Sequence, residues 1–230
     1  MEEKDSKEVQ TLENGSGSEG VQAKKKHSYG GSIGRAFLFV ILFTVLCGFL
    51  YTVVVTGIGQ VLFPNKANGS VIEVDGETYG SELLAQEFTD PGYMWGRIMI
   101  VDVTSFTDED GNAVMYASAS NLSPAGDEMD ELVQERIDAL LEADPTMEGV
   151  EIPEDLVTVS GSGLDPDISP EAAEYQVHRI AEARGISEDE VREAIDACTT
   201  GKLLGIFGNE RVNVLKVNLL LDGILTEEDL

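Results

Sequence analysis

The chain has 230 residues, of which 42% are hydrophobic and 25% are charged, a composition typical of one folded domain with an appendage. Lys and Arg total 15 against 43 Asp and Glu, so the formal net charge is −28. Binding to nucleic acid depends on basic residues that neutralise phosphates. The composition therefore excludes nucleic acid as a partner and disfavours anionic lipid headgroups.

The first 35 residues have the composition of a disordered tail. Residues 1–30 mix charged residues with Gly and Ser and hold few apolar groups, so they cannot offset the entropy of ordering. Gly15 to Gly20 read GSGSEG and match the dinucleotide-binding pattern GxGxxG. That pattern needs a strand before it and a helix after it, and this segment has neither. We therefore predict a disordered cytoplasmic tail over residues 1–35.

A run of twenty uncharged residues, AFLFVILFTVLCGFLYTVVV, extends from Ala36 to Val55. At 1.5 Å per residue this length matches a hydrocarbon core of about 30 Å, which predicts one transmembrane helix over residues 36–58. A cleaved signal peptide is the alternative, but its apolar region would be shorter.

The flanking charges predict the orientation of this helix. Lys24, Lys25, Lys26 and Arg35 precede the run, whereas only Lys66 follows within fifteen residues. Basic residues stay on the cytoplasmic side of a membrane. The N-terminus is therefore predicted to be cytoplasmic, and residues 59–230 to form an extracytoplasmic domain at the cell membrane.

The first half of that domain shows strand signals followed by one helix. VIEVDGETYG (71–80) predicts a hairpin around Asp75-Gly76. Ser81 can cap a short helix carrying Leu83, Leu84 and Phe88. Residues 97–120 are rich in β-branched and aromatic residues and predict paired strands. Apolar residues at helical spacing predict a helix over 127–143.

The second half alternates strand and helix patterns. Leu156, Val157 and Val159 indicate a short strand, and a helix follows from Pro170 to Arg184, where Gly185 ends it. Ser187 and Glu190 form a capping box for a third helix. RVNVLKVNLLLD (211–222) reads as an apolar strand with a bulge. Without a regular βαβ rhythm, the fold class is predicted to be α+β or an irregular α/β domain.

Residues suited to catalysis are sparse. The only histidines are His27 and His178, and the only cysteines are Cys47, within the apolar run, and Cys198. No zinc-protease motif, metal-spaced histidine cluster or EF-hand loop occurs. Cys198 lies on an apolar helical face, which favours core packing. The residues therefore offer no catalytic constellation beyond a formal pair of His178 and Cys198, and the chain is predicted to have no cofactor of its own.

The stretch VSGSGLDPDISPEAAEYQVHRIAEARG (159–185) has the outline of a phosphate loop. Ser169 as N-cap and Pro170 at the first helical position explain the residues from 169 onward as a helix entry. A phosphate loop would also bring a Lys or Arg, whereas here Asp165, Asp167 and Glu171 follow the glycines. Direct nucleotide contact is therefore not expected.

Three blocks of the chain resemble the C subunit of the bacterial Kdp potassium-transporting P-type ATPase, the KdpC family. They are GQVLFPNKANGS (59–70), GSELLAQEFTDPGYMWGR (80–97), and VSGSGLDPDISPEAAEYQVHRIAEARGIS (159–187) with RVNVLKVNLLLD. The likeness covers residues 35–222 in order. It departs from the family pattern at Ile98-Met99, Asp167 and His178, and in a longer charged tail.

The resemblance implies two sets of site residues. The family-signature segment, which would hold any nucleotide contact, comprises Ser160, Gly161, Ser162, Gly163, Asp165 and Gln176. The candidate partner-docking residues are Gln60, Phe63, Pro64, Asn68, Gly69, Ser70, Tyr93 and Arg97.

The resemblance also implies a function. It is that of a noncatalytic subunit of an ATP-driven potassium import complex, with a channel-like potassium-binding subunit, a P-type ATPase subunit and a small membrane subunit as partners. ATP and potassium would be handled by the complex, and the family's C subunit is proposed to raise the ATP affinity of the ATPase subunit. The alternative is a stand-alone membrane-tethered binding or sensor domain.

Overall fold

The computed structural model describes residues 29–112 and 114–230, so residues 1–28 of the predicted tail lie outside the described part of the chain. The described residues fall into two compact units that divide between Val55 and Thr56. The first unit is helical, and the second contains every strand found among the described residues.

An apolar helix opens the described chain. It consists of α1 (Tyr29–Phe43), a π-helical segment (Thr44–Tyr51) and α2 (Thr52–Leu62). The 32 residues Gly31–Leu62 have a mean hydropathy of 2.7 over their most apolar window, and the helix is long and apolar enough to cross a membrane. It begins seven residues before the run without charges, so Arg35 lies within the helix.

A short helix and a hairpin follow. α3 (Pro64–Ala67) leads into β1 (Val71–Val74) and β2 (Glu77–Ser81), which pair antiparallel with Val74 opposite Glu77. The φ angles of Asp75 and Gly76 are 53° and 82°, the left-handed conformation that a two-residue hairpin turn requires. The predicted hairpin is confirmed.

The short helix predicted after Ser81 is wrong. The Ser81 hydroxyl accepts the N–H of Leu83 at 3.1 Å, but only a turn forms there, and an extended chain follows. The N–H of Ala85 donates to the carbonyl of Leu164 and the Gln86 amide donates to the carbonyl of Tyr79. These tertiary hydrogen bonds replace the ones that a helix would supply.

The strands predicted within 97–120 are confirmed but are short. β3 (Val101–Asp102) and β4 (Tyr116–Ala117) pair antiparallel over two residues each. The Asp102 carboxylate accepts the N–H groups of Thr104 and Ser105 at 2.7 and 3.1 Å. These side-chain hydrogen bonds replace backbone hydrogen bonds between the strands, so β3 ends at Asp102.

The three predicted helices form. α4 (Asp127–Ala143) ends at Asp144, and a 3₁₀ turn (Pro145–Met147) follows it. The helix predicted over 170–184 is present as α6 (Pro170–Glu174) and α7 (Val177–Arg184), which Gly185 ends with φ 67°. α8 (Glu188–Ala197) begins with the predicted capping box between Ser187 and Glu190.

Two strand predictions in this half are wrong in part. Residues Glu154–Val157 form the helical turn α5, and only Val159 makes a β-bridge, to Ile98. Arg211–Asn213 is strand β7, but Val214–Leu221 is helix α9. The Asn213 side chain accepts the N–H of Lys216 at 3.1 Å, and this N-cap starts the helix. The break in strand alternation was therefore helical spacing, not a bulge.

A three-stranded antiparallel sheet lies at the centre of this unit. β7 pairs with β5 (Asp167–Ile168) on one side and with β6 (Thr199–Thr200) on the other. The main hydrophobic core draws on residues 94–95, α4 to α8, the sheet and α9. Cys198 is buried in it, and burial raises the pKa of its thiol to about 12, so the expected packing role is confirmed. The fold is a mixture of helices and strands.

Candidate functional site

Residues 160–167 of the family-signature segment, which we call the signature loop, are joined by hydrogen bonds among their own side chains and backbone N–H groups. The Ser160 hydroxyl, which is buried, accepts the N–H of Gly163 at 3.0 Å and of Asp165 at 3.4 Å. The Ser162 hydroxyl accepts the N–H of Leu164, and the Asp165 carboxylate accepts the N–H of Asp167. A phosphate cradle needs such N–H groups pointing at the ligand. Here four of them are bound within the loop.

Gly163 shows how tightly the loop packs. Its φ is 73°, and a Cβ there would collide with the backbone carbonyl of Ser118. Its own carbonyl accepts the N–H of Ile100 at 3.3 Å. Gly161 has open space around its Cα. The signature loop is therefore a packed connection between segments of the domain.

Gln176 lies between α6 and α7 and is almost fully buried, with 1% of its surface exposed. Its amide oxygen accepts the N–H of Trp95 at 2.8 Å, and its amide nitrogen donates to the carbonyl of Trp95 at 3.0 Å. The nitrogen also donates to the carbonyl of Ala172, and the oxygen also accepts from Arg179. All four hydrogen bonds of the amide are made inside the fold.

Asn218 of α9 makes the same pair of hydrogen bonds with the backbone of Met94, the residue before Trp95. Its amide oxygen accepts the N–H of Met94 at 2.7 Å, and its amide nitrogen donates to the carbonyl of Met94 at 3.0 Å. We call Gln176 and Asn218, with the backbone of Met94 and Trp95, the amide clamp. The two side chains satisfy both polar groups of two consecutive buried residues, as a neighbouring strand would.

Two arginines surround the Trp95 ring. The guanidinium carbons of Arg179 and Arg136 lie 4.4 and 4.9 Å from the ring centroid, within cation–π distance. Arg179 donates to the carbonyl of Tyr93, and Arg136 donates to the carbonyl of Gly96. Burial, and to a lesser degree the charge of Arg136, lowers the pKa of Arg179 to about 10, so it remains charged at neutral pH.

No motif in the sequence singles out Asn218, Arg179 or Arg136. The available signal was a polar residue inside an apolar run, Asn218 within VNLLL. Buried amides of this kind need partners, but the sequence did not show that the partners were the backbone groups of Met94 and Trp95.

The docking candidates near the apolar helix form their own small network. The Gln60 and Asn68 side-chain amides exchange two hydrogen bonds at 3.1 and 3.2 Å, and Asn68 also donates to the carbonyl of Pro64. The carbonyl of Gly69 accepts the Ser81 hydroxyl at 2.7 Å. Ser70 is buried, whereas Phe63 is 57% exposed. Phe63 and Pro64 are thus the exposed apolar residues of this set.

Tyr93 and Arg97 are held by contacts within the domain. The Tyr93 hydroxyl donates to Asp222 at 3.1 Å, and the Arg184 guanidinium lies over its ring. Arg97 donates to the Thr158 hydroxyl at 3.1 Å. The polar groups of both residues therefore already have partners within the domain.

A polar cavity of about 660 Å³ lies beside Ser70. Its charged lining groups are mostly paired, Lys216 with Glu82 at 2.8 Å and Arg211 with Asp167 at 2.9 Å. Burial raises the pKa of Asp167 despite this pairing. These ion pairs place charges of both signs in the lining, and Lys66 adds a third cation.

His178 binds a buried carboxylate. Its Nδ1 lies 2.9 Å from Asp144, which is 4% exposed and also accepts the Thr146 hydroxyl at 2.6 Å. The hydrogen bond to Asp144 raises the pKa of His178. Burial opposes ionisation of Asp144, but the hydrogen bonds from Thr146 and His178 outweigh it and lower the pKa of the carboxyl group.

In the described residues, one apolar helix long enough to span a membrane precedes a domain of mixed helices and strands, an arrangement typical of membrane-anchored domains. The family model described as K+-transporting ATPase, c chain, matches residues 33–223. The chain therefore belongs to the KdpC family of potassium-transporting ATPase subunits, and the resemblance seen in the sequence is confirmed.

Individual relatives agree with this assignment. The potassium-transporting ATPase KdpC subunit of Clostridium perfringens is 57% identical over 195 residues, which cover 85% of this chain and 98% of that protein. The KdpC subunit of Clostridium botulinum strain Alaska E43 is 52% identical over 83% of this chain and 95% of its own length. That of Sorangium cellulosum is 48% identical over 82% and 95%.

The amide clamp makes a prediction about stability. Gln176→Ala should lower the free energy of unfolding by about 3 kcal/mol, because it leaves the Trp95 N–H and C=O unpaired and opens a cavity. Gln134→Ala is the matched control, because Gln134 is exposed on α4 and bonds only Asp138; it should change the value by less than about 0.5 kcal/mol. Denaturant unfolding of the full chain in detergent measures both. Equal stabilities would contradict the clamp.

The His178–Asp144 pair predicts a pH dependence. The pKa of His178 is raised above its ordinary 6.5, so the pair's stabilisation is complete below that pH and is lost as the pH rises through the folded-state value. The pKa of Asp144 is lowered from 3.8, so its contribution is lost as the pH falls through the folded-state value.

NMR titration of the imidazole protons checks this prediction. Asp144→Asn should return the pKa of His178 towards 6.5, while asparagine can still accept the Thr146 N–H. His27, the only other histidine, is removed by His27→Gln to assign the signal. An unchanged His178 pKa in Asp144→Asn would show that the carboxylate does not control it.

Proposed function

We propose that the chain is a noncatalytic subunit of a high-affinity, ATP-driven potassium import complex. Its partners are a channel-like potassium-binding subunit, a P-type ATPase subunit and a small membrane subunit, and ATP and potassium are handled by the complex. The observation that supports this proposal is membership of the KdpC family over residues 33–223. The relatives are named as subunits of a potassium-transporting ATPase, which gives a stand-alone sensor domain no support.

The domain after the apolar helix belongs, in this proposal, outside the cytoplasm. Lys24, Lys25, Lys26 and Arg35 precede the most apolar part of the helix, and the only basic residue soon after it is Lys66. This asymmetry supports a cytoplasmic N-terminus. The domain then docks over the potassium entrance of the channel-like subunit and stabilises the assembled complex.

An effect on ATP affinity, proposed for the family, would be indirect here. The Gln176 amide makes all four of its hydrogen bonds within the fold, and the signature loop binds its own N–H groups. These contacts support a structural role for the signature segment. The chain would raise the ATP affinity of the ATPase subunit by favouring one state of it through the membrane helix or the residues before that helix.

The orientation is tested with protease added to intact spheroplasts. The domain beyond residue 70 should be digested, while a tag on the N-terminus should survive, because the membrane shields only the cytoplasmic side. Permeabilised spheroplasts, in which both parts are accessible, are the control. Digestion of the N-terminal tag with protection of the domain would reverse the proposed topology.

The assembly role is tested by deletion of residues 71–230 in cells that also produce the other subunits. The yield of complex and its apparent affinity for potassium should both fall, because the docked domain is lost while the apolar helix remains. The full-length chain is the control, and an N-terminal tag verifies that the shortened chain reaches the membrane. Unchanged yield and potassium affinity would refute the proposal.

A further inference from the structure

An apolar hairpin tip projects from the domain between β6 and β7. Leu203 and Phe207 pair across it, since the N–H of each donates to the carbonyl of the other at 2.8 and 3.0 Å. Its large side chains are mostly in solvent: Leu203 70%, Leu204 80%, Ile206 76% and Phe207 62% exposed. In the described part of the chain beyond Leu62, no other large apolar side chain is as exposed. We call residues 203–207 the hairpin tip.

Leu204 is poorly suited to its place in the turn. The N–H of Ile206 donates to the carbonyl of Leu203, and the two central residues, Leu204 and Gly205, have φ angles of 56° and 73°. Such a turn favours Asn, Asp or Gly, and a leucine with positive φ loses folding free energy. Leu204 therefore contributes neither to the turn nor to the core. A strained, exposed leucine points to a role outside the folded domain.

Charge and size argue against two occupants of this surface. Residues 203–209 carry no charge, but the whole chain has a net charge of −28, which opposes an anionic lipid surface. The tip also lacks the Trp and Tyr that favour a membrane interface. A second copy would bring the same acidic surfaces together, and four side chains fall short of the roughly 800 Å² per partner of a standard interface.

A larger interface with a different protein fits these observations. In a membrane complex, the apolar helix would also hold this subunit in place. The tip would then be one anchor within a wider contact. A few buried apolar groups can carry much of the binding energy of such an interface. The convex tip requires a concave apolar pocket. Lys202, next to the tip, favours an acidic group at the rim of that pocket.

We propose that the hairpin tip inserts into an apolar pocket, with an acidic rim beside Lys202, on the extracytoplasmic surface of the channel-like potassium-binding subunit of the potassium-transporting ATPase. This proposal rests on the proposed function. It adds the residues of the contact and the chemistry of the surface that receives them.

Leu204→Asn tests the tip without harming the fold. Asparagine suits the positive φ, so the melting temperature of the full-length chain should stay equal or rise. Retention of the chain on the washed, detergent-solubilised complex should fall about tenfold. Leu83→Asn is the matched control, because it makes the same exchange at a leucine that is 57% exposed in the same unit. It should leave retention unchanged.

A photoreactive amino acid at position 204 identifies the occupant. A crosslink to the channel-like potassium-binding subunit supports the proposal, whereas a crosslink only to the ATPase subunit, to lipid or to a second copy overturns it. If the wild-type chain is retained and Leu204→Asn is retained equally, the tip proposal fails while the proposed function stands. If the wild-type chain itself does not associate with a transport ATPase, both fail.

Discussion

The domain depends on the amide clamp, in which Gln176 and Asn218 hold the backbone of Met94 and Trp95. These two residues are buried outside any strand, and buried peptide groups without partners destabilise a fold by about 1–3 kcal/mol each. The clamp supplies the four missing hydrogen bonds from side chains that are 81 and 124 residues away in sequence. It thereby ties the segment after the first hairpin to helices of the C-terminal half.

The clamp also explains why the signature segment looks like a ligand site in the sequence. A segment rich in Gly, Ser, Asp and Gln is compatible with a phosphate loop. It is equally compatible with a tight connection that leads to a buried amide. In the structure the Ser160 hydroxyl and the Gln176 amide bind backbone groups of the domain itself. The polar groups of this segment stabilise the domain itself. Contacts with partners are therefore expected on the surface of the domain.

Local signals made several elements predictable. Asp75-Gly76 specified the hairpin, and the Ser187–Glu190 capping box and Gly185 specified two helix ends. Prediction failed where a distant or side-chain contact decided the structure. VNVLKVNLLL suits a strand or a helix, and the cap made by Asn213 selects the helix. For the candidate site, the sequence indicated the loop and Gln176 but not their partners, since these lie in other segments.

The hairpin tip is the place where sequence and fold disagree most. The other described non-glycine residues with positive φ are Ser70, Asp75 and Asn121, which are small or polar, whereas Leu204 is a large apolar residue that is 80% exposed. Two backbone hydrogen bonds between Leu203 and Phe207 hold the tip in a defined hairpin. Because little conformational entropy is then lost on docking, even a small apolar contact can contribute to the association of subunits.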